Sequence, residues 1–265
     1  MKTLQKNDQP FITTVISGKG GVGKTMSSIN IAVRLKKMGH TVAIIDADLG
    51  LSNCATFFNT QAKHTVTDWI HGKCGLENLA QQIDGITLVT GASDPSQANV
   101  GTELMMDALD QVVSYLKQTH DFIIVDTLAG AGEMSLWSLD TADLGILVIV
   151  DEPTAISDVY RLCKYIYNID PEYKFSGIVN FAENERTAES TFKRFNTILG
   201  YFLNKQIPYF GFIPASNIIK KSITEQCPLS DEKNATEEIK EIEFIAQQVI
   251  AYAADQKRSA LKPVH

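Results

Sequence analysis

Three observations predict an α/β fold built on a single doubly wound, mostly parallel sheet with helices on both faces. Short apolar, β-branched runs recur along the chain, helical patterns fill the intervals, and the runs lack the polar alternation of a half-solvated sheet. The runs span 11–17, 41–46, 85–90, 121–127, 144–150, 175–181 and 208–213. Each reads as a strand covered on both sides. No composition break, linker or internal repeat divides them, so residues 1–265 are expected to form one domain, with a polar segment at 1–10 and a short tail at 255–265.

The helix after the first run is expected from about 25 to 39. Ile29, Ala32, Val33 and Leu35 supply an apolar surface, Arg34, Lys36 and Lys37 are expected outward, and Gly39 can close it in a left-handed conformation. The last helix, about 235–254, carries Ile239, Ile242, Ala246, Val249 and Ala253 at three- and four-residue spacing, with Glu237, Glu238 and Glu241 expected on the opposite face.

Composition bounds the function. The 265 residues are 44% hydrophobic and 21% charged, with 17 Gly and 8 Pro, which excludes collagen-like, low-complexity and wholly disordered classes. Twenty-four basic against 31 acidic residues give a net charge of −7, which disfavours nonspecific attraction to nucleic acid or anionic lipid. Cys54, Cys74, Cys163 and Cys227 show neither C-x-x-C nor disulfide-framework spacing and read as reduced thiols, as the cytosol would keep them. The five histidines, His40, His64, His71, His120 and His265, show no zinc-ligand pairing. Neither a signal-peptide core nor an apolar segment of transmembrane length occurs.

The first run is followed by Gly18, Lys19, Gly20, Gly21, Val22, Gly23, Lys24 and Thr25, which satisfy G-x-x-x-x-G-K-[ST] between a strand and a helix. Glycines let successive backbone N–H groups turn toward phosphate, and the helix N-terminus adds partial positive charge. Lys24 suits the β- and γ-phosphates, the Thr25 hydroxyl suits Mg²⁺, and Met26 follows on the same helix. Asp46 and Asp48 close the second run, at the sheet edge where open α/β folds bind ligands. One such carboxylate can support hydrated Mg²⁺ while the other orients or deprotonates the attacking water. The run 122–125 ends in Asp126, as expected of a carboxylate behind the Mg²⁺ shell.

Lys19 is superfluous in an ordinary phosphate loop. With Gly20-Gly21-Val22-Gly23-Lys24-Thr25 it resembles the deviant Walker A motif of the MinD/ParA ATPases. The resemblance implies a P-loop ATPase that uses ATP and Mg²⁺ and forms an ATP-dependent homodimer, Lys19 reaching the partner's phosphates. It further implies that Asp48 activates water, that Asp46 lies near the metal shell, and that the Gly130 N–H senses the γ-phosphate. By the same resemblance Asn180 reads adenine and Pro214 lies beside it.

Asp48-Leu49-Gly50-Leu51-Ser52-Asn53 and the stretch 151–160, Asp-Glu-Pro-Thr-Ala-Ile-Ser-Asp-Val-Tyr, look most like the flagellar-number regulators FlhG and FleN within that family. That branch implies a cytoplasmic protein, peripheral at a cell pole, partnered by an SRP-type GTPase and a flagellar transcription activator. The chain departs from the branch in offering only Asp8-Gln9 before Pro10 and Ala215-Ser216-Asn217 after Pro214. Membrane contact is left open, because the last helix has an acidic polar face followed only by Lys257, Arg258 and Lys262. The alternative is a ParA/MinD-type ATPase for DNA partitioning or division-site positioning. DNA would need a local patch from Lys193, Arg194, Lys205, Lys220 and Lys221. Iron–sulfur chemistry, found elsewhere on this architecture, lacks its thiolates: Ala129 stands where a cluster cysteine would be.

Overall fold

The structure is a computed structural model that describes residues 9–48, 53–92, 100–229 and 236–260. One eight-stranded sheet runs β3-β4-β2-β5-β1-β6-β7-β8. Its strands are β1 (Phe11–Ile16), β2 (Val42–Asp46), β3 (Gln81–Ile83), β4 (Ile86–Thr90), β5 (Phe122–Asp126), β6 (Leu144–Ile149), β7 (Phe175–Ala182) and β8 (Tyr209–Pro214). All pair in parallel except β3, which runs antiparallel to β4 at one edge.

The unbroken apolar runs are explained by period-two partition between two covered faces. In β6, Leu144, Ile146 and Val148 join the core beneath α1 (Lys24–Lys37) and α9 (Thr236–Ala260). Leu147 and Ile149 face the opposite core, with α6 (Pro153–Ile169) and α7 (Glu185–Leu203). Two short helices, α2 (Asn53–Phe57) and α3 (Val66–Ile70), precede α4 (Thr102–Leu116) and α5 (Glu133–Thr141), under which a third cluster takes Ile12, Ile45 and Val125. Two polar residues inside β1 are accommodated by hydrogen bonds: Thr13 Oγ1 donates to Leu144 O at 3.0 Å and Thr14 Oγ1 to Ser138 Oγ at 2.9 Å.

All seven expected strands occur, with ends shifted by one residue or so. The strand the pattern misses, β3, is only three residues long and lies on the edge, too short to show a period. Helix α9 begins at Thr236 and continues to Ala260, beyond the expected 254.

Two side chains overturn their expected positions. Arg34 is buried, not outward: its Nη2 donates to Leu229 O at 2.7 Å, while Asn30 Oδ1 accepts from Leu229 N at 2.9 Å. Helix α1 thereby grips residue 229, after α8 (Asn217–Thr224), from both sides of its peptide. Glu238 is likewise buried, accepting from Ser216 Oγ; that serine also caps α8 by accepting from Ile218 N. Helical spacing assigned both residues to solvent, and long-range backbone or hydroxyl partners draw them inward.

Candidate active site

The loops after β1, β2, β5 and β7 emerge at the carboxyl edge of the sheet, where α1 begins. Gly23 precedes α1 at φ 91°, a left-handed conformation that glycine adopts readily, and no side chain caps the helix. The first-turn N–H groups are therefore available to an anion, and the first turn contains no acidic residue. A Cβ at Gly23 would sit 2.2 Å from Asn180 Nδ2, and one at Gly18 would sit 2.3 Å from the Asp158 carbonyl carbon. Glycine at 18 lets the loop lie directly against the backbone of α6.

Beneath the loop, buried carboxylates on adjacent strands are brought side by side: Asp46 and Asp126 are register partners of β2 and β5. Asp126 accepts from Thr25 Oγ1 at 2.5 Å and from Ser28 Oγ at 3.0 Å. Asp46 accepts from the backbone N–H groups of Cys54 at 3.0 Å and Asp48 at 3.2 Å. Asp48 accepts from Asn53 Nδ2 at 2.8 Å. Burial raises Asp46 to about 7, reinforced by the neighbouring Asp126 charge, and raises Asp126 to about 6 against the opposing pull of Thr25 and Lys24. Desolvation lowers Lys24, which is buried, while Asp126 and Asp48 draw it back up.

This donor set fits a hard divalent cation. Two buried carboxylates, with a hydroxyl against one of them, offer the oxygen ligands or water acceptors that Mg²⁺ takes. Among the described residues, the group of three possible metal donors is Asp46, Cys54 and Asp126. Burial holds the Cys54 thiol well above its ordinary range, so its sulfur stays protonated and contributes little to a hard-ion shell.

A cavity of about 670 Å³ opens over these groups. Gly20, Gly21, Gly23, Lys24, Thr25, Met26 and Asp48 line it; Asp46 and Asp126 lie beneath. Six expected residues stand elsewhere or are otherwise engaged, among them Gly18, packed against the backbone of α6, and Val22, buried in the core beneath α1. Lys19 does not line the cavity; its Nζ lies 2.9 Å from Glu152 Oε2 at the start of α6. The Gly130 N–H donates to Ser17 O at 2.8 Å rather than into the cradle. Asn180 donates to Val22 O at 2.7 Å and accepts from Phe181 N at 2.9 Å, so its amide braces the phosphate loop. Pro214 is buried opposite Ala182 and does not line the cavity. Residues 49–52 of the motif after Asp48, and Asp8, lie outside the described residues.

Sequence reasoning missed the cavity's apolar lining, Phe57, Phe181 and Ile223. Phe181 carries the available signal only in three dimensions: φ is 58°, rare for an aromatic residue, and of order 1–3 kcal/mol of backbone strain accompanies such conformations. Register irregularities on β7, one of them between Asn180 and Ala182, turn it out of the ladder.

The family model described as "ParA: NUBPL iron-transfer P-loop NTPase" matches residues 10–250. The chain belongs to the ParA/MinD family of P-loop NTPases. Members of this family are ATPases. Antiactivator FleN of Pseudomonas aeruginosa is 31% identical over 227 residues, covering 85% of this chain and 81% of FleN. Flagellum site-determining protein YlxH of Helicobacter pylori is 30% identical over 230 residues, covering 83% of this chain and 75% of YlxH. Among solved structures, the septum site-determining protein MinD of Pyrococcus horikoshii, complexed with Mg-ADP, superposes with a TM-score of 0.76 at 23% identity. That match covers 92% of this chain and 97% of MinD, and establishes the ParA/MinD fold.

Proposed function

We propose that this chain is an ATP-hydrolysing switch of the flagellar-number branch, dimerising around Mg-ATP. The observation that carries the proposal is the convergence of Lys24, Thr25, Asp46, Asp48 and Asp126 at one sheet edge. The FleN and YlxH similarities support the flagellar assignment.

In this reading the free amides of the glycine loop and α1 hold the triphosphate, and Lys24 neutralises the β- and γ-oxygens. Thr25, Asp46 and Asp126 would hold Mg²⁺, which supplies charge neutralisation across those oxygens. Asp48, fixed by Asn53, orients the attacking water and accepts its proton. Phosphate sensing by Gly130 requires its N–H to exchange Ser17 O for a phosphate oxygen. Lys19 must leave Glu152 to reach a partner's nucleotide. Both exchanges couple nucleotide state to conformation, as expected of a slow enzyme stimulated by partners. An SRP-type GTPase and a flagellar transcription activator are the proposed partners, with action in the cytoplasm and peripherally at a pole. No helix among the described residues is long and apolar enough to cross a membrane.

The DNA-partitioning alternative is less favoured because its basic patch is partly neutralised within the chain. Arg194 pairs with Asp151, Lys205 with Glu172 at 3.4 Å, and Lys221 with Glu225 at 3.8 Å.

Asp48→Ala tests the assignment. Hydrolysis is expected to fall at least about 100-fold while ATP binding persists, leaving a long-lived ATP dimer in size-exclusion chromatography. Parental turnover in that variant would refute the role of Asp48.

A further inference from the structure

We propose that Phe181 is the stacking platform for the nucleobase, making it a binding and specificity residue of the site. This deepens the ATP assignment and rests on it. Purine stacking on Phe181 is inferred from the coincidence of backbone strain, exposure and position in one aromatic residue.

The cavity has two chemistries. Its lining combines a charged set, the glycine loop with Lys24 and Asp48, and an apolar set, Phe181, Ile223 and Phe57. Triphosphate oxygens satisfy only the first. A flat apolar heterocycle satisfies the second, and aromatic side chains bind bases through their faces. Phe181 is 43% exposed, although β7 is otherwise buried along its length. Its ring reaches the phosphate loop, Cζ lying 3.5 Å from where a Gly23 Cβ would stand. A nucleotide held by that loop therefore lies within reach of the ring.

The left-handed backbone is what aims the ring there. At φ 58° and beside a register break, residue 181 leaves the regular pleat, and Asn180 Oδ1 accepts from its N–H at 2.9 Å to hold the turn. Glycine would satisfy this backbone without strain, so fold stability alone does not call for phenylalanine. Asn180 and Phe181 divide the work: the amide braces the loop through Val22 O, and the ring covers the base.

The test compares Phe181→Gly, Phe181→Leu and Phe181→Tyr with the parental protein, titrating ATP, UTP and inorganic tripolyphosphate by calorimetry in Mg²⁺ and recording thermal melts. Phe181→Gly is expected to melt at or above the parental temperature yet bind ATP about tenfold more weakly, with tripolyphosphate affinity unchanged. Its preference for ATP over UTP is expected to shrink, because purines stack more strongly than pyrimidines. Phe181→Tyr is expected to retain parental affinity. Phe181→Leu, which keeps apolar bulk without a ring face, is expected to fall between and carries the test if the glycine variant melts low. ATP affinity within twofold of parental in both Phe181→Gly and Phe181→Leu would overturn the platform while leaving the ATP assignment intact. An equal loss for ATP and tripolyphosphate would also overturn it, showing that Phe181 acts by propping Gly23. A parental protein that binds tripolyphosphate but not ATP would reject the base platform and keep the phosphate cradle. Binding of neither would remove the ATP assignment itself.

Discussion

The phosphate floor and the outer rim of the same cavity are built on opposite principles. On the floor, Lys24, Asp46 and Asp126 are buried, and the two carboxylates accept hydrogen bonds from Thr25, Ser28 and backbone amides. On the rim, Lys19 and Glu152 remain about half exposed in their ion pair, and Phe181 is turned outward on a strained backbone. Buried, networked groups cannot rearrange without exposing uncompensated charge, whereas an exposed ion pair is worth only about 0–1 kcal/mol. The floor is thus organised in advance for one ligand chemistry, and the rim is free to exchange partners with nucleotide state.

The largest effect that can break this contrast is on the floor. Lys24→Ala is expected to weaken ATP binding at least 100-fold by calorimetry, since it removes the buried cation that both Asp126 and Asp48 face. Retained binding would mean that the loop amides alone suffice.

A smaller effect, in pH, sharpens the comparison. Asp46 and Asp126 stay protonated in the native protein up to about 7 and about 6, above the unfolded value of 3.8. Between roughly pH 4 and 7 the native state therefore holds protons that the unfolded chain has released, and raising pH through this window lowers stability. His40 and His120, lowered chiefly by burial, act in the opposite sense because the unfolded chain takes up their protons first as pH falls. The expected net signature is a melting temperature without Mg²⁺ that declines by several degrees from pH 5 to 8. Mg-ATP should reduce the decline, and Asp46→Asn should flatten it. An identical pH profile in Asp46→Asn would show that the pair carries no such penalty.

The smallest effect lies on the rim. Glu152→Gln frees Lys19 from an exposed ion pair, so ATP-dependent dimerisation should tighten about two- to tenfold, as two such pairs are released per dimer. Analytical ultracentrifugation at several ATP concentrations reads this directly, and weaker dimerisation would show that Glu152 assists the interface.

The same contrast explains what could be read from the sequence. Floor chemistry requires fixed residue types at fixed spacing, so Gly18–Thr25, Asp46, Asp48 and Asp126 stand out in a single chain. The covered strands are equally legible because two-sided burial leaves unbroken apolar runs. Rim contacts join residues far apart and leave no local pattern: Lys19 meets Glu152 133 positions later, and Arg34 meets Leu229 195 positions later. Phe181 looks like one more strand residue until the register break behind it is seen. Family resemblance points Asn180 toward the base, and nothing in its neighbours foretells its bond to Val22 O.

The 2.2 Å gap between a hypothetical Gly23 methyl and the Asn180 amide binds two distant stretches of chain into a single engineering unit. A designer grafting another base pocket onto β7 would have to preserve that asparagine or rebuild the loop below it. A change as slight as Gly23→Ala would evict the amide from its seat. Altered nucleotide preference in this scaffold is therefore best sought by varying position 181, the next residue along, where the ring and not the brace is at stake.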